Sequence, residues 1–199
     1  MDSQMQSFYK NALVGSLCEP LCDEYKSRWR ACGDDKERMV ALAMNHQSIP
    51  YVATYCNKGK GVTKAYIVNE FAGYINGYTV RDADGVEGYT YGLYVDYDPS
   101  DDLVVDKDVI HVMWTVGASI VIPETKCPTL YISNKSNVHV VCGGYNSLKI
   151  YLFDTSRVTL EDVDEESTVT VYRYSDNATV DSGRYCFGEV KEFSKELRL

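Results

Sequence analysis

The side chains that could perform nucleophilic chemistry are few in this sequence and far apart. Only three histidines occur, His46, His111 and His139. A cysteine–histidine pair would need both side chains on one face of the framework, but His139 and Cys142 differ in parity along a strand and should point to opposite faces. The sequence also has no glycine-rich phosphate loop and no G-x-S-x-G or H-E-x-x-H motif. We therefore predict a protein that is not an enzyme, with no catalytic residue and no cofactor.

Two patterns in the sequence have some features of metal sites. A zinc site could take thiolates from Cys18 and Cys22 together with Cys32 or Cys56. The usual C-x-x-C spacing is missing, however, and Pro20 lies between the first two. The turn 82–85 resembles the opening of a calcium loop, but Glu87 lies too close to act as the distal bidentate acid. The acidic run Asp96, Asp98, Asp101 and Asp102 raises the same possibility. We predict core cysteines, a solvated turn and no bound metal.

Aromatic side chains offer a different chemistry, since their rings can stack on sugar rings. The chain has 17 tyrosines. Five aromatic residues that precede or begin the β repeat form the candidate ligand or interaction surface: Tyr89, Tyr91, Tyr94, Tyr97 and Trp114. Tyrosine also fills half-buried sheet faces, and this ordinary role remains an alternative.

The framework that must hold these residues is dominated by an internal repeat. An apolar-x-apolar pair returns about every ten residues at Ile120/Ile122, Leu130/Ile132, Val138/Val140, Leu148/Ile150, Val158/Leu160 and Val169/Val171, and more weakly at Ala178/Val180. Each pair predicts a strand with one buried face, and the constant period predicts that every strand adds a similar layer to the core. Short polar turns and few hairpin dipeptides favour a short β-solenoid with two units per coil; an antiparallel meander or sandwich is the alternative.

Upstream of the repeat the apolar spacing is helical. Asp34 or Asp35 is expected to cap one helix, Thr63 another, and Asn76-Gly77 to end the last one. We expect these helices to cover the first end of the solenoid, where strand edges would otherwise be exposed.

The predicted fold class is therefore α+β, with an N-terminal helical domain followed by a repetitive all-β region. We divide the chain into four segments. Residues 1–77 are a helical docking or cap domain, and residues 78–117 are a hairpin with lead-in strands. Residues 118–185 are the ten-residue repeat, and residues 186–199 are a charged closing strand or helix.

The net charge of −9 comes entirely from the β part. Residues 1–72 carry nine basic and eight acidic side chains, whereas residues 73–199 carry eleven and twenty-one. Because phosphates would be repelled there, we expect no nucleic-acid partner. The start of the sequence has no basic and apolar leader pattern, and no apolar run is long enough to span a bilayer. We expect a protein made in a cytoplasm without a signal peptide and without a membrane partner.

Four stretches of the sequence resemble a family of small proteins encoded by phages and prophages of gut bacteria: WRACGDDKERMVALAM, SIPYVATYCNKGKGVTKAYIVNEFAGYING, DADGVEGYTYGLYV and KEFSKELRL. The family has no settled activity, so the resemblance implies a context and no site residues. It implies a virion component, such as a tail, fibre, baseplate or capsid-associated protein, whose partners are other virion proteins or further copies of itself. We expect a homo-oligomer, preferably a trimer or ring. The alternatives are a carbohydrate-binding or receptor-binding module and an intracellular phage effector that sequesters a host factor.

Overall fold

The computed structural model describes residues 3, 23–46, 48–57, 62–81, 88–162, 166–182 and 189–194. Among the elements assigned there, the helices precede the strands, and the class is α+β as predicted. The helical elements are α1 (Asp23–Ala31), α2 (Lys36–Ala43), α3 (Ile49–Asn57), α4 (Lys64–Glu70) and a 3-10 turn at Ala72–Tyr74. The strands are β1 (Val80–Arg81), β2 (Thr90–Val95), β3 (Leu103–Val104), β4 (Val109–Met113), β5 (Val116–Ile122), β6 (Thr129–Ser133), β7 (Asn137–Cys142), β8 (Ser147–Leu152), β9 (Arg157–Asp162), β10 (Thr168–Arg173), β11 (Thr179–Asp181) and β12 (Glu189–Ser194).

The capping residues predicted for two helices are confirmed. Asp35 caps α2 and Thr63 caps α4, and each side chain accepts a hydrogen bond from the backbone N–H three residues later, at 3.0 and 3.2 Å. Helix α4 ends at Glu70, before the expected stop. Asn76 and Gly77 nevertheless adopt the left-handed backbone that ends a helical segment, with φ of 52° and 119°.

The strands form a β-solenoid. Seven strands make one sheet in the order β1-β2-β4-β6-β8-β10-β12, and five make the other in the order β11-β9-β7-β5-β3. All neighbours from β2 onward pair in parallel, and Thr129 lies beside Lys149 while Asn137 lies beside Arg157, a spacing of 20 residues in each sheet. Two ten-residue units therefore make one coil, as predicted. The antiparallel meander or sandwich is wrong because all strands from β2 onward pair in parallel.

Constant register stacks the same inward position of successive coils. Ile110, Leu130, Ile150 and Val171 are register partners from strand to strand of the seven-stranded sheet. All four side chains are fully buried. The apolar pairs found in the sequence thus line the solenoid interior, and burial of about 25 cal/mol per Å² of apolar area drives its formation.

The described helices lie on the outer face of the seven-stranded sheet. Leu42, Ile49 and Phe71 share one hydrophobic cluster with Tyr91 and Met113 of the sheet. Strands β2 and β4 are consequently buried on both faces, and their sequences do not show the alternation of the later strands. The described helices therefore form a layer on one flank of the solenoid, and the expected helical cover over its first end stays a prediction.

The first edge of the seven-stranded sheet is closed by the segment that leaves the helices. Val80 pairs antiparallel with Tyr91. Beyond this two-residue strand, the Asn76 side-chain amide donates to the Val95 carbonyl at 3.0 Å and accepts from the Val95 N–H at 2.8 Å. Because the amide replaces a neighbouring strand, the backbone N–H and carbonyl of Val95 are both satisfied at this edge.

Several sequence-defined segments take a more specific form in the structure. The run 82–85 lies outside the described residues, but β1 and β2 on either side of it pair as a hairpin requires. The first parallel coil already starts at β2, so the lead-in strands of segment 78–117 belong to the solenoid. In the closing segment, residues 189–194 form a strand parallel to β10.

One corner of the solenoid is held by a carboxylate. Asp154 has a left-handed backbone, with φ of 50°, and accepts hydrogen bonds from the backbone N–H groups of Asn134, Lys135 and Thr155. Asn134 and Lys135 are left-handed too, with φ of 57° and 62°, and form the same corner of the preceding coil. The Asp154 side chain thus joins two coils where the sheet ladders are interrupted.

We expect the Asp154→Ala variant to lose about 2 kcal/mol of unfolding free energy, because hydrogen bonds to a charged acceptor are worth roughly 1.5–3 kcal/mol. Chemical denaturation at neutral pH measures this loss. Asp176→Ala is the matched control, since Asp176 is an exposed carboxylate in the β10–β11 turn. Equal losses in the two variants would contradict the role given to Asp154.

Candidate ligand-binding groove

The five aromatic residues selected from the sequence do not form one surface. Tyr91 lies in the cluster between helices and sheet, whereas Tyr94 lies in the solenoid interior, because the two residues have opposite parity on β2. Tyr97 is half-buried and packs edge-on against Tyr94, with ring centroids 5.5 Å apart. Trp114 is half-buried against the helical cluster. Only Tyr89 among the five is exposed, at 42%, and the common platform is therefore a wrong prediction.

Tyr89 instead borders an open groove that the sequence did not reveal. The groove lies between His46 and Pro50, near the start of α3, and the outer face of the seven-stranded sheet, and its volume is about 540 Å³. Five rings line it: His46, Tyr89, Tyr131, Tyr151 and Tyr174. The remaining lining residues are Pro50, Asp108, Val109, Cys127, Thr129, Ser147 and Lys149. We call this set the tyrosine groove.

Part of the groove is an aromatic ladder built by the repeat. Tyr131, Tyr151 and Tyr172 are register partners on β6, β8 and β10, and their rings stack with centroids 4.7 and 4.8 Å apart. Phe153 and Tyr174 stack beside them at 4.9 Å. These distances match the spacing of neighbouring strands, so the sheet holds the rings rigidly. The spacing between these tyrosines is visible in the sequence. It corresponds to one coil, however, only when two ten-residue units are combined.

His46 ties the helical wall of the groove to this ladder. Its Nδ1 lies 2.7 Å from the Tyr131 hydroxyl, and its ring meets Tyr89 edge-on at 6.3 Å. Tyr131 is 4% exposed, and burial raises the pKa of its phenol well above the ordinary value. The phenol therefore stays neutral at physiological pH and can hydrogen-bond to the His46 imidazole in the helical wall of the groove.

The charged residues of the groove stand on different strands. Asp108 precedes β4, and its Oδ2 accepts from both the N–H and the hydroxyl of Thr90, at 2.8 and 2.7 Å. Lys149 lies on β8 and is exposed, and its ammonium has no ion-pair partner among the residues that the structure describes. The groove thus has an acidic side that is already engaged and a basic side that can accept an anion.

A serine–histidine contact occurs next to the ladder, but it is closed to solvent. His111 Nε2 lies 2.8 Å from Ser133 Oγ, and Ser133 Oγ donates to Asn134 Oδ1 at 2.6 Å. Ser133 therefore accepts from His111, which places the ring proton on Nε2 and leaves that nitrogen unable to act as a base. His111 is 1% exposed and Ser133 is fully buried, so this pair satisfies core polar groups.

The remaining histidine and cysteine predictions can be compared with their positions. Cys142 is fully buried, and His139 lies on the outer face with its Nε2 3.0 Å from a Glu161 carboxylate oxygen, so the predicted opposite orientation is confirmed. Cys32 and Cys56 are buried, and burial raises the pKa of Cys56 to about 12, which favours the thiol over a metal-binding thiolate. Residues 18 and 22 lie outside the described part of the chain. Within that part, no group of three metal-ligating side chains occurs.

In comparisons with known proteins, no family model, curated protein or solved structure matches this chain. Among the described residues, no helix is both long enough and apolar enough to cross a membrane.

Proposed function

We propose that this protein is a non-enzymatic structural and interaction protein. The observation that carries this proposal is the continuous parallel ladder from β2 to β12, to which the helical layer is joined on one flank. A solenoid of this kind is a stiff body with long regular flanks, which suits assembly and surface recognition. The helical part would dock to a partner, and the β part would present its groove and its outer faces.

We further propose that the partner structure is a bacteriophage virion. The resemblance of four sequence stretches to phage and prophage proteins supports this context, and the stiff fold suits a tail, fibre, baseplate or capsid-associated part. The chain would be made in the bacterial cytoplasm and then incorporated into particles.

Mass spectrometry of purified particles tests the virion proposal directly. We expect this chain at a fixed copy number relative to the major capsid protein, and an abundant cytoplasmic phage protein serves as the contamination control. Depletion from particles together with abundance in the infected cytoplasm would overturn the proposal and favour an effector that sequesters a host factor.

We also expect the protein to form a homo-oligomer, with a trimer or ring preferred. Among the described strands, the five-stranded sheet ends in β3 and β11, which are two and three residues long and have no neighbour on their outer side. Burying these ends or a flank against identical copies would remove the cost of exposed edges, and closed symmetry does so without open-ended growth. Sedimentation equilibrium over a dilution series at micromolar concentration measures the stoichiometry. A monomer at every concentration would contradict the expectation.

A further inference from the structure

The tyrosine groove has the size and composition of a ligand site. Its volume of about 540 Å³ falls within the range of about 300–1,000 Å³ that is typical of small-molecule sites. It combines ring surfaces with hydroxyl groups, one ammonium and one carboxylate. A ligand that matches this lining must offer apolar faces and many hydrogen-bonding groups together.

Four hydroxyl groups of the groove are available to such a ligand. The side chains of Tyr89, Thr129, Ser147 and Tyr151 form no hydrogen bond with any other described residue. They come from the segment before β2 and from β6 and β8, so hydroxyls from three stretches of the chain converge on one groove. Water satisfies them in the absence of a ligand, and ligand hydroxyls can replace that water.

The rings of the groove offer two kinds of contact. Tyr131 and Tyr151 stack face to face at 4.7 Å with an interplanar angle of 11°. Because these ring faces contact each other, the ladder presents ring edges and phenol groups to a ligand. Tyr89 is outside the ladder and 42% exposed, and its contact with His46 is edge-on. Tyr89 can therefore supply the flat apolar surface on which a sugar ring stacks.

The two charged side chains of the groove lie at different positions along the solenoid axis. Lys149 on β8 and Asp108 before β4 are two strands apart, which corresponds to about 10 Å at the usual strand spacing. Thr90 already donates twice to the Asp108 carboxylate, whereas the Lys149 ammonium has no ion pair within the described residues. Lys149 supplies the only ammonium among the described residues that line the groove, so it is the group that selects a carboxylate on the ligand, whereas the net charge of −9 repels a ligand with many negative charges.

We propose that the tyrosine groove binds an oligosaccharide that carries a carboxylate, such as one with a uronic acid unit. A sugar ring stacks on Tyr89, the hydroxyls bind Thr129, Ser147 and Tyr151, and a carboxylate binds Lys149. The ligand runs along the solenoid axis, across strands β4 to β8. This inference rests on the proposed interaction role and names the ligand class of its groove.

A glycan array containing pairs of oligosaccharides that differ only by a uronic acid in place of the parent hexose tests the proposal with the full-length protein. We expect binding to the acidic member of a pair, with an affinity that falls as salt concentration rises. Lys149→Gln and Tyr89→Ala should each weaken binding about tenfold or more in titration calorimetry, since a charge-assisted hydrogen bond is worth about 1.5–3 kcal/mol.

Two surface variants are the controls. Lys135 is an exposed lysine in the β6–β7 turn and Tyr145 is a 64% exposed tyrosine, and neither lines the groove. Lys135→Gln and Tyr145→Ala should leave the affinity unchanged. Circular dichroism should show the native spectrum for all four variants, because the substituted side chains are exposed.

Three results would overturn the inference. Equal binding of the acidic and neutral members of each pair would remove the role of Lys149. Binding of acidic peptides in place of glycans would identify a different ligand class, and the absence of glycan binding would remove the site. If the chain is found in particles but binds no glycan, only this inference fails. If the chain binds the acidic glycan but is absent from particles, this inference holds and the virion proposal fails.

Discussion

Replacing Ile150 by alanine is expected to lower the free energy of unfolding by about 4 kcal/mol. Ile150 is fully buried, and its register partners Leu130 and Val171 press on it from both neighbouring coils. Truncation of such a side chain costs about 2–5 kcal/mol, because transfer free energy is lost and a cavity remains. The upper part of this range applies here, since strands held by ladders on both sides cannot move inward to fill the space.

Urea denaturation followed by circular dichroism measures this loss, and Val104→Ala is the matched control. Val104 also lies in a strand of the solenoid, but its side chain is 55% exposed. We expect the control to remain within about 0.5 kcal/mol of the parent, as is usual for surface substitutions. If Ile150→Ala were as stable as Val104→Ala, the parallel stacking of the interior would be wrong.

The stability of the protein is expected to fall steeply in acid because of His111. Burial lowers the pKa of His111 from its ordinary value near 6.5 to about 3. Between these two pH values the unfolded chain binds a proton that the native state excludes. The free energy of unfolding therefore falls as the pH falls, by as much as about 1.4 kcal/mol per pH unit from this group.

Comparison of the parent protein with His111→Gln between pH 7 and pH 4 isolates this effect. The glutamine amide is neutral at every pH and can still donate to Ser133 Oγ. All other side chains are the same in both proteins, so the difference between the two stability curves belongs to position 111. We expect the parent to lose more stability on acidification than the variant, and parallel curves would contradict the buried neutral imidazole.

The architecture of the β part could be predicted from the sequence because it depends on local spacing. An apolar pair such as Leu148/Ile150 specifies a strand with one buried face wherever it lies. A constant period then specifies that such strands stack in register, and this was sufficient to distinguish the solenoid as the favoured fold. The caps at Asp35 and Thr63 are equally local, since a capping side chain bonds to a backbone group three residues away.

The groove could not be predicted in the same way, because its residues meet only after two long-range choices. The first is the pairing of ten-residue units into coils, which places Tyr131 beside Tyr151 and leaves Tyr91 and Tyr94 on opposite faces of β2. The second is the docking of the helices on the outer face of the sheet, which brings His46 to Tyr131 across 85 positions of sequence.

The sequence by itself thus determined the repeat, the class and the alternation of buried and exposed positions, since these follow from contacts between near neighbours. Only the tertiary structure decided which outer face the helices cover and which aromatic rings remain exposed. The physical reason is that packing one layer on another depends on the whole shape of both surfaces, which no local pattern specifies.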